Sequence, residues 1–127
     1  MHLSAHAFVA VVDGTNFTLF RNEGTAESPS LKAHSLPVDG ASAHHAGQGD
    51  TPRQNAEAGH AAAVAEALNA AVLANTIKSL VIIADPSTLG EMRKLYHKQL
   101  ESVLEGELPK TLTGRDVDDI VKAIAAA

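Results

Sequence analysis

Residues 79–93 read SLVIIADPSTLGEMR, and the change of pattern within this stretch decides the fold. The five residues from Leu80 to Ala84 are all apolar, and Asp85-Pro86 ends the run. Such a run is typical of a strand that is buried on both faces and lies in the centre of a sheet. We expect a helix to follow at once, with Thr88 as its N-cap and Glu91 as the capping-box partner. Ligands usually bind just beyond the carboxyl end of such a strand.

The residues before this stretch predict three antiparallel strands. Residues 7–12 form an apolar run that ends at Asp13-Gly14, a pair that supplies the left-handed conformations of a tight hairpin turn. Residues 16–21 resume a strand pattern, and residues 31–36 form a weaker third strand. Residues 37–50 contain little that could anchor a core, so the sequence predicts a flexible loop there.

Three helices and two strands are predicted after the loop. Thr51-Pro52 begins a helix, because an N-cap residue precedes a proline at the first helical position. Its apolar stripe comprises His60, Ala63, Val64, Ala67, Leu68, Ala71 and Val72. Residues 102–108 predict a last strand at or near a sheet edge, and Thr113 is the expected N-cap of a final helix.

The predicted order is therefore β-β-β-α-β-α-β-α, in an α/β domain with a single mixed five-stranded sheet and helices on its faces. This is the order of the ribonuclease H-like architecture. Right-handed crossover connections are compatible with the first strand lying beside Leu80–Ala84.

Composition narrows the class of protein. A chain of 127 residues with 45% hydrophobic content fits one domain, residues 1–127. A net charge of −5 disfavours a broad phosphate-binding surface, and we expect no DNA partner. There is no cysteine, no signal-peptide pattern and no apolar run long enough to span a membrane. We expect a cytoplasmic protein without membrane insertion and without a cofactor.

Four stretches resemble a known family: FVAVVDG at 8–14, LFRNEGT at 19–25, IIADPSTLGEMRK at 82–94 and ELPKTLT at 107–113. They are similar to the bacterial host-attachment proteins, a bacterial branch of domains related to the middle domain of archaeal and eukaryotic peptide-chain release factors and of Pelota. The resemblance implies the release-factor-type fold and a role near the ribosome or transfer RNA. The family name implies an alternative, attachment to host cells through protein–protein contacts.

The resemblance also points to the predicted loop. Release-factor relatives carry a Gly-Gly-Gln loop before their long first helix, where it promotes hydrolysis of peptidyl-tRNA. This sequence has Gly47-Gln48-Gly49 in the corresponding interval, preceded by Ala46 where the relatives have glycine. The resemblance implies that Gln48 would position an attacking water. The alternative is a plain flexible loop.

Several carboxylates and histidines are candidate metal ligands. Asp13 and Asp85 each end a strand. If those strands are adjacent and parallel, the two carboxylates, with Glu57 as a possible third, could hold the two Mg²⁺ ions of a nuclease. Turn and cap chemistry explains Asp13 and Asp85 equally well, and we expect no metal site. The histidines considered were His34, His44, His45, His60 and His97.

A basic cluster completes the candidate residues. It comprises Arg53, Arg93, Lys94, Lys98 and Lys110, and it forms a local anion-binding patch if the first helix turn and residues 93–98 face one side. The alternative is a set of solvated, separate cations. The leading prediction is a non-catalytic binding module that associates with the ribosome or tRNA. Peptidyl-tRNA hydrolysis and attachment are the alternatives.

Overall fold

The computed structural model describes residues 3–36, 38 and 52–127, with side chains described from Asn55 onward in the first helix. Five strands and four helices lie within these residues. They are β1 (Phe8–Val12), β2 (Phe17–Asn22), β3 (Leu31–His34), α1 (Pro52–Leu73), β4 (Leu80–Ala84), α2 (Pro86–Arg93), α3 (Lys98–Val103), β5 (Leu104–Pro109) and α4 (Val117–Ala126). In the described part of the chain, no helix is both long and apolar enough to cross a membrane.

The strands form one mixed sheet in the order β3-β2-β1-β4-β5. β1 runs parallel to β4, with Val12 opposite Ala84, and β4 runs parallel to β5. β2 is antiparallel to both β1 and β3. The predicted mixed five-stranded sheet is confirmed, and the first strand lies beside Leu80–Ala84.

β1 and β4 form the centre of the sheet, and every residue of both strands is buried. Successive side chains of a strand point to opposite faces, so each strand contributes to two separate clusters. One cluster contains Ala10 and Ile82 and packs against α1, α2 and α3. The other contains Val11 and Ile83 and packs against α4.

The first face is covered by α1 together with α2 and α3. Val64 and Leu68 of α1 are fully buried, and alanines on either side of them let the 22-residue helix lie close to the strands. Much of the predicted stripe lies in this cluster, namely Val64, Leu68, Ala71 and Val72. His60 is different because it is only half-buried and its Nε2 lies 3.2 Å from the Asn16 carbonyl oxygen.

The second face is covered by α4. Ile120 and Ile124 are buried against the second cluster, four residues apart on one side of the helix. Leu3, which precedes β1, is buried in the same layer. The final helix therefore buries one apolar side, with Ile120 and Ile124 as its two most buried residues.

The helix after Pro86 differs from the prediction in two ways. Its N-cap is Asp85 and not Thr88, because the Asp85 carboxylate accepts hydrogen bonds from both the backbone N–H and the hydroxyl of Thr88. The helical segment also divides into α2 and α3. Asn69 of α1 stabilises the break, since its side chain donates to the Leu95 carbonyl and accepts from the His97 N–H.

The turn after β1 also differs from the prediction. Positive φ angles within the described residues occur at His6, Asn75 and Gly114, so Gly14 does not adopt the left-handed conformation. Instead the Asp13 side chain accepts hydrogen bonds from the backbone N–H groups of Thr15 and Asn16. This arrangement is an Asx turn. A Cβ at Gly14 would meet the carboxyl end of the Glu57 side chain, so a larger residue at position 14 would have to displace that flexible side chain.

Leu68 and Leu73 offer a matched test of this packing. Leu68→Ala should lower the free energy of unfolding by about 2–5 kcal/mol, because Leu68 is fully buried and the substitution leaves a cavity. Leu73→Ala, on the same helix at 54% exposure, should cost less than about 0.5 kcal/mol. Urea unfolding followed by circular dichroism measures both. Equal losses in the two variants would contradict the packing of α1 described here.

Candidate functional site

The turns at the carboxyl ends of β1, β4 and β5 form one polar edge, which we call the carboxyl edge. It consists of residues 13–16, 85–88 and 110–116. Val12 and Ala84 are paired across β1 and β4, so Asp13 and Asp85 leave the sheet from neighbouring positions. The carboxyl end of parallel strands is the general location of ligand sites in α/β folds, which makes this edge the first candidate.

Asp13 is the most heavily hydrogen-bonded acid of the carboxyl edge. Its Oδ1 accepts from the backbone N–H groups of Thr15 at 2.8 Å and Asn16 at 2.6 Å. Its Oδ2 accepts from the Thr113 hydroxyl and, at 3.3 Å, from the Asn16 side-chain amide. Burial acts to raise the pKa of Asp13, but the hydrogen bonds led by that of Thr113 outweigh it and hold the pKa far below its usual value.

Thr113 therefore has a role other than the predicted one. Asp116 is the N-cap of α4 and accepts from the Asp119 N–H at 3.0 Å. The Thr113 hydroxyl is turned instead to Asp13, a residue 100 positions earlier in the chain. This bond joins the β1–β2 turn to the loop before α4.

The three acids considered for metal binding are all placed near the carboxyl edge. The Asp13 carboxylate accepts from five donors, and both oxygens of Asp85 accept from Thr88. Glu57 lies against Gly14. Among residues 3–36, 38 and 55–127, no three histidine or acidic side chains come together as a metal site requires. The geometry shows the two strand-end aspartates acting in a turn and a helix cap.

The candidate histidines are separated in the fold. His97 is the N-cap of α3 and accepts from the Gln99 N–H at 3.0 Å. His34 packs edge-on against the ring of Phe8, with the ring centroids 5.1 Å apart. His60 contacts the β1–β2 turn, as described above. His44 and His45 lie outside the described residues.

The amino-terminal part of α1 reaches the carboxyl edge, since both Glu57 and His60 contact the β1–β2 turn. The predicted loop before α1 contains Gly47, Gln48 and Gly49, which lie outside the described residues. In sequence, Gln48 stands four residues before the start of α1 at Pro52.

The basic candidates do not all come together. Arg93, Lys94 and Lys98 lie on the α2–α3 segment, which Asn69 attaches to the far part of α1. Arg53 is in the first turn of α1, 16 residues before Asn69, or about 24 Å along the helix axis. The structure thus groups three of the cations and separates Arg53 from them.

Arg93 belongs to a small polar cluster that the sequence did not indicate. Its Nε and Nη2 donate to Glu107 Oε1 at 3.1 and 3.0 Å, and the Tyr96 hydroxyl donates to Glu107 Oε2 at 2.8 Å. The hydrogen bond and charge of Glu107 raise the pKa of Arg93. Burial, followed by the same carboxylate, raises the pKa of the Tyr96 phenol. The cluster ties α2 to the edge strand β5.

Lys94 and Lys98 are the more accessible cations of this group. Lys94 pairs with Glu91 at 3.0 Å, with 61% of its side chain exposed, and such exposed pairs contribute little stability. Lys98 is exposed, and no acid within the described residues lies at ion-pair distance from it. These two side chains can therefore contact a phosphate without disrupting the fold.

The fold and the carboxyl edge define an α/β domain whose turns are fixed by side-chain hydrogen bonds and whose α2–α3 segment groups Arg93, Lys94 and Lys98. The sequence model of bacterial archaeo-eukaryotic release factor family 12 matches residues 34–124. The match covers more than two thirds of the chain, and the protein belongs to this family. The family is described by its release-factor relationship and not by host attachment. No curated protein matches the chain.

Thr113 and Thr111 allow the Asp13 bond to be tested. Thr113→Val should lower the free energy of unfolding at pH 7 by about 1–2 kcal/mol, because a hydrogen bond to a partly exposed carboxylate is lost. Thr111→Val, at an exposed position two residues earlier, should change it by less than about 0.5 kcal/mol. Urea unfolding measures both variants.

The Thr113→Val loss should depend on pH in one direction. Because the folded pKa of Asp13 lies below its ordinary value of 3.8, the stabilisation is complete above that value and declines as the pH falls below it. The difference between wild type and Thr113→Val should therefore shrink below pH 3.8. A difference that grows on acidification would contradict the assignment of an ionised Asp13.

Proposed function

We propose that this protein is a release-factor-like module that binds the ribosome or tRNA without itself catalysing a reaction. The observation that carries the proposal is membership of a release-factor family over residues 34–124, a range that contains the Gly-Gln loop and all of the grouped cations. The carboxyl edge supports a non-catalytic role, since the acids Asp13 and Asp85 are engaged in a turn and a cap.

The contact with RNA is assigned to the α2–α3 segment. Lys94 and Lys98 are exposed there, whereas Arg93 is held by Glu107. RNA binding through two lysines gives a modest affinity that falls with salt, because each phosphate contact releases about one counterion. The acidic total charge of −5 limits the contact to this local surface.

Charge reversal tests this assignment. The double variant Lys94→Glu, Lys98→Glu should abolish co-sedimentation with ribosomes, or binding of labelled tRNA, at low salt, because both phosphate contacts are lost. Lys32→Glu is the control, since Lys32 is exposed on β3 at the opposite edge of the sheet. Arg93→Glu is unsuitable because it also breaks the contact with Glu107.

Two results would contradict the proposal. One is that the wild-type protein binds neither ribosomes nor tRNA at low salt; the other is that the double variant binds them as well as wild type does. Attachment through a host-cell partner, the remaining alternative, predicts the first of these results.

A second candidate function is hydrolysis of peptidyl-tRNA through Gln48. The observation that favours it is the Gly47-Gln48-Gly49 sequence, which lies within the family match, with Gln48 four residues before the start of α1. In this mechanism the Gln48 side chain and backbone N–H orient a water towards the ester carbonyl and stabilise the oxyanion that forms. The glycines let the backbone approach the ester closely.

Single-turnover release of a labelled amino acid from peptidyl-tRNA on ribosomes tests hydrolysis. Gln48→Ala should lower the rate by about 100-fold, the loss typical of an oxyanion-stabilising group. Gln99→Ala, at an exposed position on α3, should leave it unchanged. Equal rates for wild type and Gln48→Ala would exclude this candidate and leave the binding proposal intact.

A further inference from the structure

A cavity of about 300 Å³ lies on the second face of the sheet, between the β2–β3 loop and α4. Its apolar walls are Leu3, Ala26, Pro29, Val121, Ile124 and Ala125. Pockets of this size lie at the lower end of the range for ligand sites, about 300–1,000 Å³, and have room for one or two aliphatic side chains. The cavity is remote from both the carboxyl edge and the α2–α3 cations, so the proposed function does not use it.

The loop wall of the cavity is held in place by Asn22, which is fully buried. The Asn22 Oδ1 accepts from the N–H groups of Gly24 and Ser30, each at 3.0 Å. Its Nδ2 donates to the carbonyls of Ser4 and Thr25, at 3.1 and 3.3 Å. One side chain thereby fixes both ends of the loop and its attachment to the segment before β1.

The loop is also closed on itself. The Glu23 N–H donates to the Ser30 carbonyl at 2.8 Å, and a Cβ at Gly24 would overlap the Ser28 carbonyl. A binding wall that is already ordered loses little conformational entropy when a ligand is bound. The loop wall of the cavity is therefore ordered before any ligand binds.

Among the described residues that line the cavity, Glu27 alone is charged. It is exposed, and among the described residues no Lys, Arg or His is at ion-pair distance from it. Nearby Glu23 differs because it pairs with Arg21 at 2.6 Å. The cavity thus combines aliphatic walls with an uncompensated negative charge on its lining.

We propose that the cavity binds a segment of a partner protein in which an aliphatic side chain stands next to a lysine or arginine. The aliphatic side chain occupies the space between Pro29 and Ile124, and the cation pairs with Glu27. Charge complementarity selects this occupant, since an uncharged or acidic segment leaves Glu27 without a counter-charge. Leu3 and the β2–β3 loop precede residue 34, so these walls lie outside the family match.

A second copy of the chain fits this chemistry less well. Leu73 is the exposed large hydrophobic residue of the described chain, at 54% exposure. Its sequence neighbours are Val72 and Ala74, which carry no charge to meet Glu27. The partner is therefore assigned to a different protein.

The proposal is tested by titrating the whole chain with short capped peptides and recording nuclear magnetic resonance spectra. The probe is acetyl-Gly-Leu-Lys-Gly-amide at about 1–5 mM, a range suited to the weak affinity of one anchor side chain. Its matched controls replace Leu with Ala or Lys with Glu. The Leu-Lys peptide should shift the backbone amide signals of Ala26, Glu27, Val121 and Ala125, and each control peptide should shift them less.

Two variants complete the experiment. Ala125→Leu, at an exposed helix position, should fill the cavity and abolish the shifts without disturbing the fold. Glu27→Gln should weaken binding about two- to fivefold, the effect of one exposed ion pair.

The proposal is overturned if the Leu-Lys peptide leaves the lining amides unchanged, or if the Leu-Glu peptide shifts them equally. It is also overturned if those amides shift with protein concentration alone, which would place a second copy in the cavity.

Discussion

The parallel pairing of β1 with β4 is the constraint on which the rest of the structure depends. Both strands are buried along their whole length, so helices must cover the sheet on both faces at this point. The alternation of side chains divides the core into two clusters, which assign α1, α2 and α3 to one face and α4 to the other. The same pairing places Asp13 beside Asp85 and so creates the carboxyl edge.

The sequence could predict the elements whose signal is periodic. Leu80–Ala84 has an unbroken apolar run, and Ile120 and Ile124 have helical spacing, so strand, helix and buried face follow directly. The N-cap residues were harder to predict than the strands and helices. Two acceptable N-cap residues lie within one turn of each other at both helices: Asp85 and Thr88 at α2, and Thr113 and Asp116 at α4. The N-cap is the residue whose side-chain oxygen accepts a hydrogen bond from a backbone N–H of the first helical turn. The hydrophobic periodicity of the sequence does not show which residue that is.

The site was harder to predict than the fold because its contacts join residues that are distant in the chain. The local sequence predicts that Thr113 is a helix N-cap, because Asp13 comes close to it only in the folded sheet. The sequence around Arg93 predicts an unpaired cation, but in the fold β5 brings Glu107 to hydrogen-bond distance of it. Asn22 lies within the LFRNEGT stretch, but the sequence did not indicate that its buried amide organises a loop of eight residues through bonds to both ends. The grouping of Lys94 and Lys98 could be predicted, since they are close in sequence.

The strand order has a consequence for how the chain is made. Translation delivers β1 first, but its partner β4 begins about seventy residues later, and at about 5–20 residues per second this separation lasts several seconds. During that interval the β1–β2 hairpin exposes an unpaired, wholly apolar strand edge, the feature that most readily recruits other chains. The nascent hairpin is thus the stage of biosynthesis at which this chain is most exposed to aggregation.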